Sequence, residues 1–136
     1  MKSQTLSWTK IEKSIDKINK DLNRLLSKVD FKIATHNQSN VKGRMIVTIF
    51  YENKPGKVRA KCFKDQYHKT LDEKINEFID SRKVKYVTQS FIGSTIYTVV
   101  YYEATQEEIE NESYDDVIEV SVDVPDDSNL NGDDEE

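Results

Sequence analysis

All 20 lysines and arginines of the chain lie between Lys2 and Lys85, and this division of charge limits which part can form a folded core. Residues 1–102 combine these 20 bases with 10 acids, a formal charge of +10, whereas residues 103–136 contain 15 acids and no base. A basic region joined to an acidic tail is typical of proteins that bind nucleic acids or membranes. It is also typical of a solvated lysine-rich surface followed by a solubilising tail.

The length of 136 residues fits one domain of about 100 residues with an appendage. We therefore expect a basic α+β domain over residues 1–103 and an acidic tail over residues 104–136, disordered beyond Pro125 because it is polar and lacks aromatic residues there. No apolar run reaches the roughly 18 residues that span a bilayer, and the N-terminus lacks the apolar segment of a signal peptide. Together with the single Cys62, these features predict a cytoplasmic protein without membrane contact.

Two helices are predicted from apolar residues that recur at intervals of three and four. The first helix has an apolar stripe that runs from Trp8 to Leu25. This helix begins at Thr9, which forms a T-x-x-E capping box with Glu12. The second helix begins at a capping box of the same kind at residues 70–73. Its apolar face consists of Leu71, Ile75, Phe78 and Ile79.

Five strands are predicted from runs rich in β-branched and aromatic residues. They are "KVDFKIAT" (28–35), "RMIVTIFYE" (44–52), "VRAKCF" (58–63), "KVKYVTQS" (83–90) and "TIYTVVYYE" (95–103). The first two form a hairpin, and Pro55 with Gly56 occupies the turn before the third.

The two halves share a helix containing "KIN", a strand and a second strand ending in "FYE" or "YYE". We interpret residues 9–52 and 70–103 as a duplicated αββ unit; the alternative is that amphipathic helices and hairpins share composition by necessity. The predicted fold is α+β, with a mainly antiparallel sheet of about five strands and both helices on one face. The other face is then open to solvent or a ligand.

Residues 57–102 also resemble the small sporulation-associated proteins that consist of one βαββ unit. The resemblance rests on a strand ending in Phe63, a polar stretch "KDQYH", a helix "LDEKINEF" and a closing aromatic strand "TIYTVVYYE". It implies a βαββ fold for the second half and supplies no catalytic residue.

Period-two alternation separates apolar residues from basic ones on several strands, and it places Phe31 with Ile33, and Val84 with Tyr86, on the apolar face. If the helices cover that face, the open face combines cations with aromatic rings, as platforms for unpaired bases do. The predicted platform consists of Lys32, Arg44, Phe50, Lys57, Arg59, Lys61, Phe63, Lys83, Lys85, Tyr97 and Tyr101. The alternative is that its aromatic residues belong to the core or to a homodimer contact.

The residues give no indication of an enzyme. His36 and His68 have no partners at metal-ligand spacing, and Cys62 has no identifiable base, so we interpret all three as structural. The glycines form neither a phosphate-binding loop nor a dinucleotide fingerprint. We predict no catalytic residue, no metal and no cofactor.

The tail contains one segment with the alternation of a strand, "VIEVSVDV" at residues 117–124. Its apolar face consists of Ile118, Val120, Val122 and Val124. This segment is either an additional edge strand or a docking segment for the sheet edge of a partner.

Two functions remain open at this point. The first is a non-enzymatic protein that binds single-stranded DNA or RNA through its basic face and uses the acidic tail to regulate binding or to recruit a basic or sheet-edge partner protein. The second is a phage-type anti-defence factor or inhibitor that binds a host protein complex or sequesters a phosphorylated nucleotide, because a basic face suits any phosphorylated ligand.

Overall fold

The computed structural model describes residues 1–9, 14–36 and 43–112 of an α+β protein. The elements are β1 (Lys2–Trp8), α1 (Ile15–Leu26), β2 (Asp30–His36), β3 (Met45–Glu52), β4 (Val58–Asp65), α2 (His68–Ile79), β5 (Lys83–Ile92), β6 (Thr95–Glu103) and α3 (Gln106–Glu110). The chain divides into two compact units, Met1–Thr105 and Gln106–Glu136. The predicted docking strand at residues 117–124 lies outside the described residues. Among the described helices, none combines the length and the apolar character needed to cross a bilayer.

The strands form two antiparallel sheets of three strands each. Sheet A has the order β1-β3-β2 and sheet B the order β4-β6-β5, so each sheet belongs to a β-α-β-β segment whose last strand is central. The predicted α+β class and antiparallel pairing are confirmed. The prediction of one sheet with about five strands is wrong, because six strands form two separate hydrogen-bonded ladders.

The sequence does not predict strand β1 or the short helix α3. The sequence of β1, "KSQTLSW", has little apolar alternation, and the apolar stripe of the predicted first helix includes Trp8, whereas α1 begins at Ile15. Leu6 pairs with Val47 and Trp8 with Met45, so these two side chains of β1 extend the apolar face of sheet A. Glu12 of the predicted capping box lies outside the described residues.

Helix α1 packs in the main core, where it contacts residues from both sheets. Its buried stripe consists of Ile18, Leu22 and Leu26, which share the core with Val47 and Ile49 of β3. From sheet B, this core contains Val58, Ala60, Cys62, Tyr97, Val99 and Tyr101. One face of sheet B is therefore covered by α1 and sheet A.

Helix α2 covers the opposite face of sheet B. Leu71 packs with Phe63 of β4 and with Ile96 and Val100 of β6, and the remaining apolar residues of the predicted stripe flank this cluster. The two helices thus lie on opposite faces of sheet B, and the prediction that both lie on one face is wrong. Because β6 is covered on both sides, its residues from 95 to 101 are all buried.

The start of α2 also differs from the prediction. The helix begins at His68, so Thr70 lies inside its first turn and does not cap it. The carboxylate of Asp65 instead accepts a hydrogen bond from the backbone N–H of Tyr67 at 3.0 Å. This bond and a salt bridge to Lys74 at 3.0 Å lower the pKa of Asp65.

A β-bulge interrupts the same position in β2 and β5. The register shifts between Phe31 and Ile33 in one strand, and between Val84 and Tyr86 in the other. Each bulge moves side chains to the other face. As a result, Phe31 lies in the core while Ile33 is 45% exposed. In β5, Tyr86 pairs with the buried Tyr101 and Val84 pairs with Tyr102 on the other face, although both β5 side chains are partly exposed. The predicted shared faces of these two residue pairs are wrong for this reason.

Candidate nucleic-acid interface

Three aromatic rings meet on the face of sheet B that α2 covers. Strand alternation places Phe63 of β4 and Tyr102 of β6 on this face, and the apolar stripe of α2 places Phe78 between them. The ring centroids of Phe63 and Phe78 are 5.4 Å apart at an interplanar angle of 69°, and those of Phe78 and Tyr102 are 5.1 Å apart at 77°. Both pairs have the edge-to-face geometry that aromatic quadrupoles favour.

Two cations lie over these rings. The Lys61 ammonium is 6.0 Å from the centroid of Phe63 and 5.9 Å from that of Phe78. The guanidinium carbon of Arg82 is 4.4 Å from the Phe78 centroid and 4.9 Å from the Tyr102 centroid. These distances lie within the range of cation–π attraction. We refer to Lys61, Phe63, Phe78, Arg82 and Tyr102 as the Phe78 cluster.

More positive charge lies at the same end of sheet B. Strands β4 and β5 both begin opposite Glu103, the last residue of β6, so the exposed Lys57, Lys83 and Lys85 lie at or near this end. The Lys83 ammonium is 3.7 Å from a Glu103 carboxylate oxygen. Asp80, the C-cap of α2, adds a second acid. The Phe78 cluster and its surroundings therefore contain five bases, which are Lys61 and Arg82 within the cluster and three lysines beside it, and two acids.

The structure removes Tyr97 and Tyr101 from the predicted platform. Both side chains point to the face of sheet B opposite the Phe78 cluster, with exposures of 1% and 0%. The Tyr101 ring stacks on Phe31 at a centroid distance of 4.7 Å and an angle of 15°. For these two rings and for Phe63, which is also buried, the alternative assignment to the core is confirmed.

Arg59 is also unavailable as a surface cation. Its side chain is 3% exposed, and its Nη1 donates hydrogen bonds to the carbonyl oxygens of Leu26 at 3.1 Å, Gly56 at 3.1 Å and Val58 at 2.9 Å. The Leu26 carbonyl belongs to the last residue of α1, where a cation stabilises the helix end. Arg59 therefore joins α1 to the start of β4.

The remaining predicted residues belong to sheet A and do not meet the Phe78 cluster. Phe50 lies half-buried on the outer face of that sheet, opposite Ile33 in the β2–β3 register. Lys32 occupies the bulge of β2 and forms an ion pair of 3.3 Å with Asp30. Arg44 immediately precedes β3. Of the predicted platform residues, only Lys61 and Phe63 belong to the Phe78 cluster, and Lys57, Lys83 and Lys85 lie near it.

Sequence reasoning missed Phe78, Arg82 and Tyr102 as members of the site. The helical periodicity did identify Phe78, but as a core residue. Arg82 lies between α2 and β5, where no pattern indicates its orientation. Tyr102 lies opposite Arg59 because of the register between β4 and β6. The paired residues of these two strands are at least 31 positions apart in the chain, so the local sequence does not determine this register.

Burial holds the Cys62 thiol and the His36 imidazole in neutral form. Burial raises the pKa of the Cys62 thiol to about 12, so the thiol stays protonated at neutral pH. Burial also lowers the pKa of His36 to about 4, although a hydrogen bond with the backbone of Thr88 partly opposes this shift. The Nδ1 atom of His36 also lies 3.2 Å from the Thr88 hydroxyl oxygen. Within residues 1–9, 14–36 and 43–112, no three His, Cys, Asp or Glu side chains are grouped as metal ligands.

Comparison with known proteins gives no further assignment. No protein-family model matches the chain. No curated protein matches it, and neither does any solved structure.

Proposed function

We propose that the protein binds single-stranded DNA or RNA through the Phe78 cluster. The observation that supports this proposal is the placement of Lys61 and Arg82 over the rings of Phe78 and Tyr102. A guanidinium group beside an aromatic ring offers a planar stacking surface, since bases stack on arginine planes as well as on aromatic rings. Lys57, Lys83 and Lys85 supply cations for the phosphates beside it.

The proposed mode of binding assigns separate roles to these groups. The half-exposed Arg82 and Tyr102 stack one or two bases, at about 1–3 kcal/mol per base. The ammonium groups of the surrounding lysines neutralise phosphates, and each neutralised phosphate contributes about −0.7 to the slope of log K against log salt. Recognition of this kind follows shape and charge and requires no base-specific hydrogen bond.

A fluorescence-anisotropy titration with a labelled oligothymidylate of about 16 nucleotides tests the proposal, since that length covers the site of a typical single-strand-binding fold. We expect the double variant Lys61→Ala/Arg82→Ala to bind at least tenfold more weakly than the wild type. Its matched control, Lys54→Ala/Lys69→Ala, removes the same charge from exposed positions outside the Phe78 cluster, one between β3 and β4 and one in the first turn of α2. Equal weakening by both double variants would contradict a defined site.

The single variant Arg82→Lys separates stacking from charge. It keeps the positive charge but loses the planar group that lies over Phe78 and Tyr102. We expect a loss of affinity that persists at high salt, where the electrostatic contribution is weakest. Wild-type affinity of this variant would show that Arg82 acts as a charge alone.

A second function is favoured by a row of exposed apolar residues on β5. Val84, Val87 and Phe91 are 38%, 50% and 47% exposed and face outward beyond the part of sheet B that α2 covers. Several exposed apolar side chains on one face of a strand are typical of protein–protein contacts. An inhibitor of a protein complex would use this row, and it would show no salt-dependent binding of the oligonucleotide.

We also infer that the two β-α-β-β segments arose by duplication of one unit. Three shared features support this inference. Both segments have the same strand order, and the last strand of each segment is the central strand of its sheet. In both segments the second strand has a bulge at its third residue, which is Lys32 in β2 and Lys85 in β5. The duplicated unit would then be βαββ, one strand longer than the αββ unit predicted from the sequence. A cytoplasmic location and a homodimer stay predictions.

A further inference from the structure

The outer edges of β1 and β4 occupy equivalent positions in their sheets, but only the edge of β4 is covered. The side chain of Asn23 donates to the Ala60 carbonyl at 2.9 Å and accepts from the Ala60 N–H at 2.7 Å. Asn19, one turn earlier in α1, accepts from the Cys62 N–H at 2.7 Å. The two amides thus bond to the edge of β4 as a neighbouring strand would.

Strand β1 has no such cover among the described residues. It pairs with β3 on one side, and no described residue hydrogen-bonds to the backbone along its other side from Lys2 to Ser7. Its residues are exposed from Lys2 to Thr5. A seven-residue strand with an open edge and no proline is a template for pairing with another strand.

A basic groove of about 470 Å³ lies beside this edge, between β1 and α1. Its apolar lining comes from Leu6 of β1 and Leu25 of α1. Its cations are Lys17 and Arg24, which lie two turns apart on α1, and Lys28, which follows the end of that helix.

Among the described residues that line the groove, Asp21 is the single acid. Its carboxylate is already engaged, because it accepts a hydrogen bond from the Trp8 indole at 2.9 Å and pairs with Lys17 at 3.1 Å and with Arg24 at 4.0 Å. Three cations and one carboxylate leave the groove with a formal charge of +2.

We propose that the β1 edge and this groove form a docking site for an extended acidic strand of a partner protein. The backbone of the partner adds a fourth strand to sheet A along β1. Alternate side chains of that strand then face α1, where carboxylates meet Lys17, Arg24 and Lys28, and a small apolar side chain contacts Leu6 and Leu25. The open peptide edge and the leucine lining favour a polypeptide over a nucleic acid, because a nucleic acid cannot extend a β-ladder.

The test uses the full chain and a short fluorescein-labelled peptide in which glutamate and valine alternate along one face of the strand, with threonine at every position of the other face. We expect saturable binding measured by anisotropy. A peptide of the same composition with its valines and glutamates in two blocks should bind at least tenfold more weakly. N-methylation of alternate amides along one edge of the peptide should abolish binding, whereas the same modification along the other edge should not, because an added strand pairs through one edge.

Charge-reversal variants locate the site. Lys17→Glu/Lys28→Glu should weaken binding about tenfold at low salt, as expected for several exposed charge contacts. The control Lys20→Glu alters an exposed residue of the same helix outside the groove and should bind as the wild type does. Equal binding of the alternating and block peptides would overturn the proposal, as would binding that is insensitive to both N-methylation patterns. Failure of the peptide to bind, with an oligonucleotide bound at Lys17 and Lys28 instead, would reassign the groove to nucleic acid.

Discussion

Arg59 and Lys61 occupy the same face of β4 two residues apart, yet their environments are opposite. The Lys61 side chain is exposed above two aromatic rings, whereas the Arg59 guanidinium is buried among three carbonyl oxygens. Alternation alone treats the two residues as equivalent. The difference arises from the end of α1, which lies against the start of β4 and not against its middle.

Arg59→Ala should therefore destabilise the fold, whereas Lys61→Ala should not. The first substitution removes a cation from the α1 terminus and leaves the buried Leu26 and Val58 carbonyls without their donor, at a cost of about 2–4 kcal/mol. The second should change the free energy of unfolding by less than about 0.5 kcal/mol, as exposed substitutions usually do. Urea unfolding of both variants measures the difference. Equal stabilities would show that the bonds of Arg59 are weaker than their geometry indicates.

His36 makes the stability of the protein depend on pH. Its pKa is about 4 in the folded state, because of burial, and about 6.5 in an unfolded chain. Since the unfolded state binds the proton first, the stability that His36 contributes is complete above pH 6.5 and is lost as the pH falls toward 4. We expect a loss of about 2 kcal/mol between pH 7 and pH 5. His36→Gln should remove most of this dependence, and an unchanged pH profile in that variant would exclude His36 as its source.

At the scale of elements, the five strands that the sequence predicted all form, because each has β-branched or aromatic residues facing a core. Strand β1 could not be predicted, since it gains its partner only when β3 pairs with it over an interval of about 40 residues and its own sequence is polar. The bulges at Lys32 and Lys85 could not be predicted either, because they depend on the register with the central strands. Period-two alternation therefore predicts correctly which side chains of β4 share a sheet face, and it fails in β2 and β5, where a bulge interrupts the alternation.

The amides of α1 lead to a prediction about the edge of β4. Replacing Asn19 and Asn23 with alanine removes three hydrogen bonds to the backbone of Ala60 and Cys62. We expect a loss of about 1–3 kcal/mol and an increased tendency to aggregate, because the β4 edge becomes open for pairing. Lys20→Ala, an exposed substitution between them, is the control for effects on the helix. Urea unfolding and light scattering measure the two effects, and wild-type behaviour of the double variant would show that the edge is protected by other means.

At the scale of the whole molecule, the sequence predicted the division of charge but not which basic residues share a surface. Lys61 and Phe63 share a face by alternation, which is a local property. Phe78 and Arg82 join them only because α2 crosses this face of sheet B, and a helix crossing is decided by the packing of the complete core. Tyr97 and Tyr101 illustrate the same limit, since β6 is covered on both sides over residues 95–101, and Tyr102 is partly exposed only because it lies beyond this stretch.

The acidic segment leads to the last prediction. Residues 1–105 form one compact unit that includes the hydrogen bond from the Ala104 N–H to the Lys57 carbonyl at 2.9 Å, so a fragment should end after Thr105 and not before Ala104. This fragment contains all 20 bases and 11 acids, a formal charge of +9, compared with −5 for the whole chain. A covalently attached polyanion competes with phosphates for the same cations, and this competition weakens with added salt.

We therefore expect the fragment to bind single-stranded oligonucleotides more tightly than the full chain, with the largest difference at low salt. Circular dichroism first confirms that the fragment is folded. Anisotropy titrations at two salt concentrations measure this difference, and equal affinities at low salt would show that the acidic residues do not regulate the basic surface.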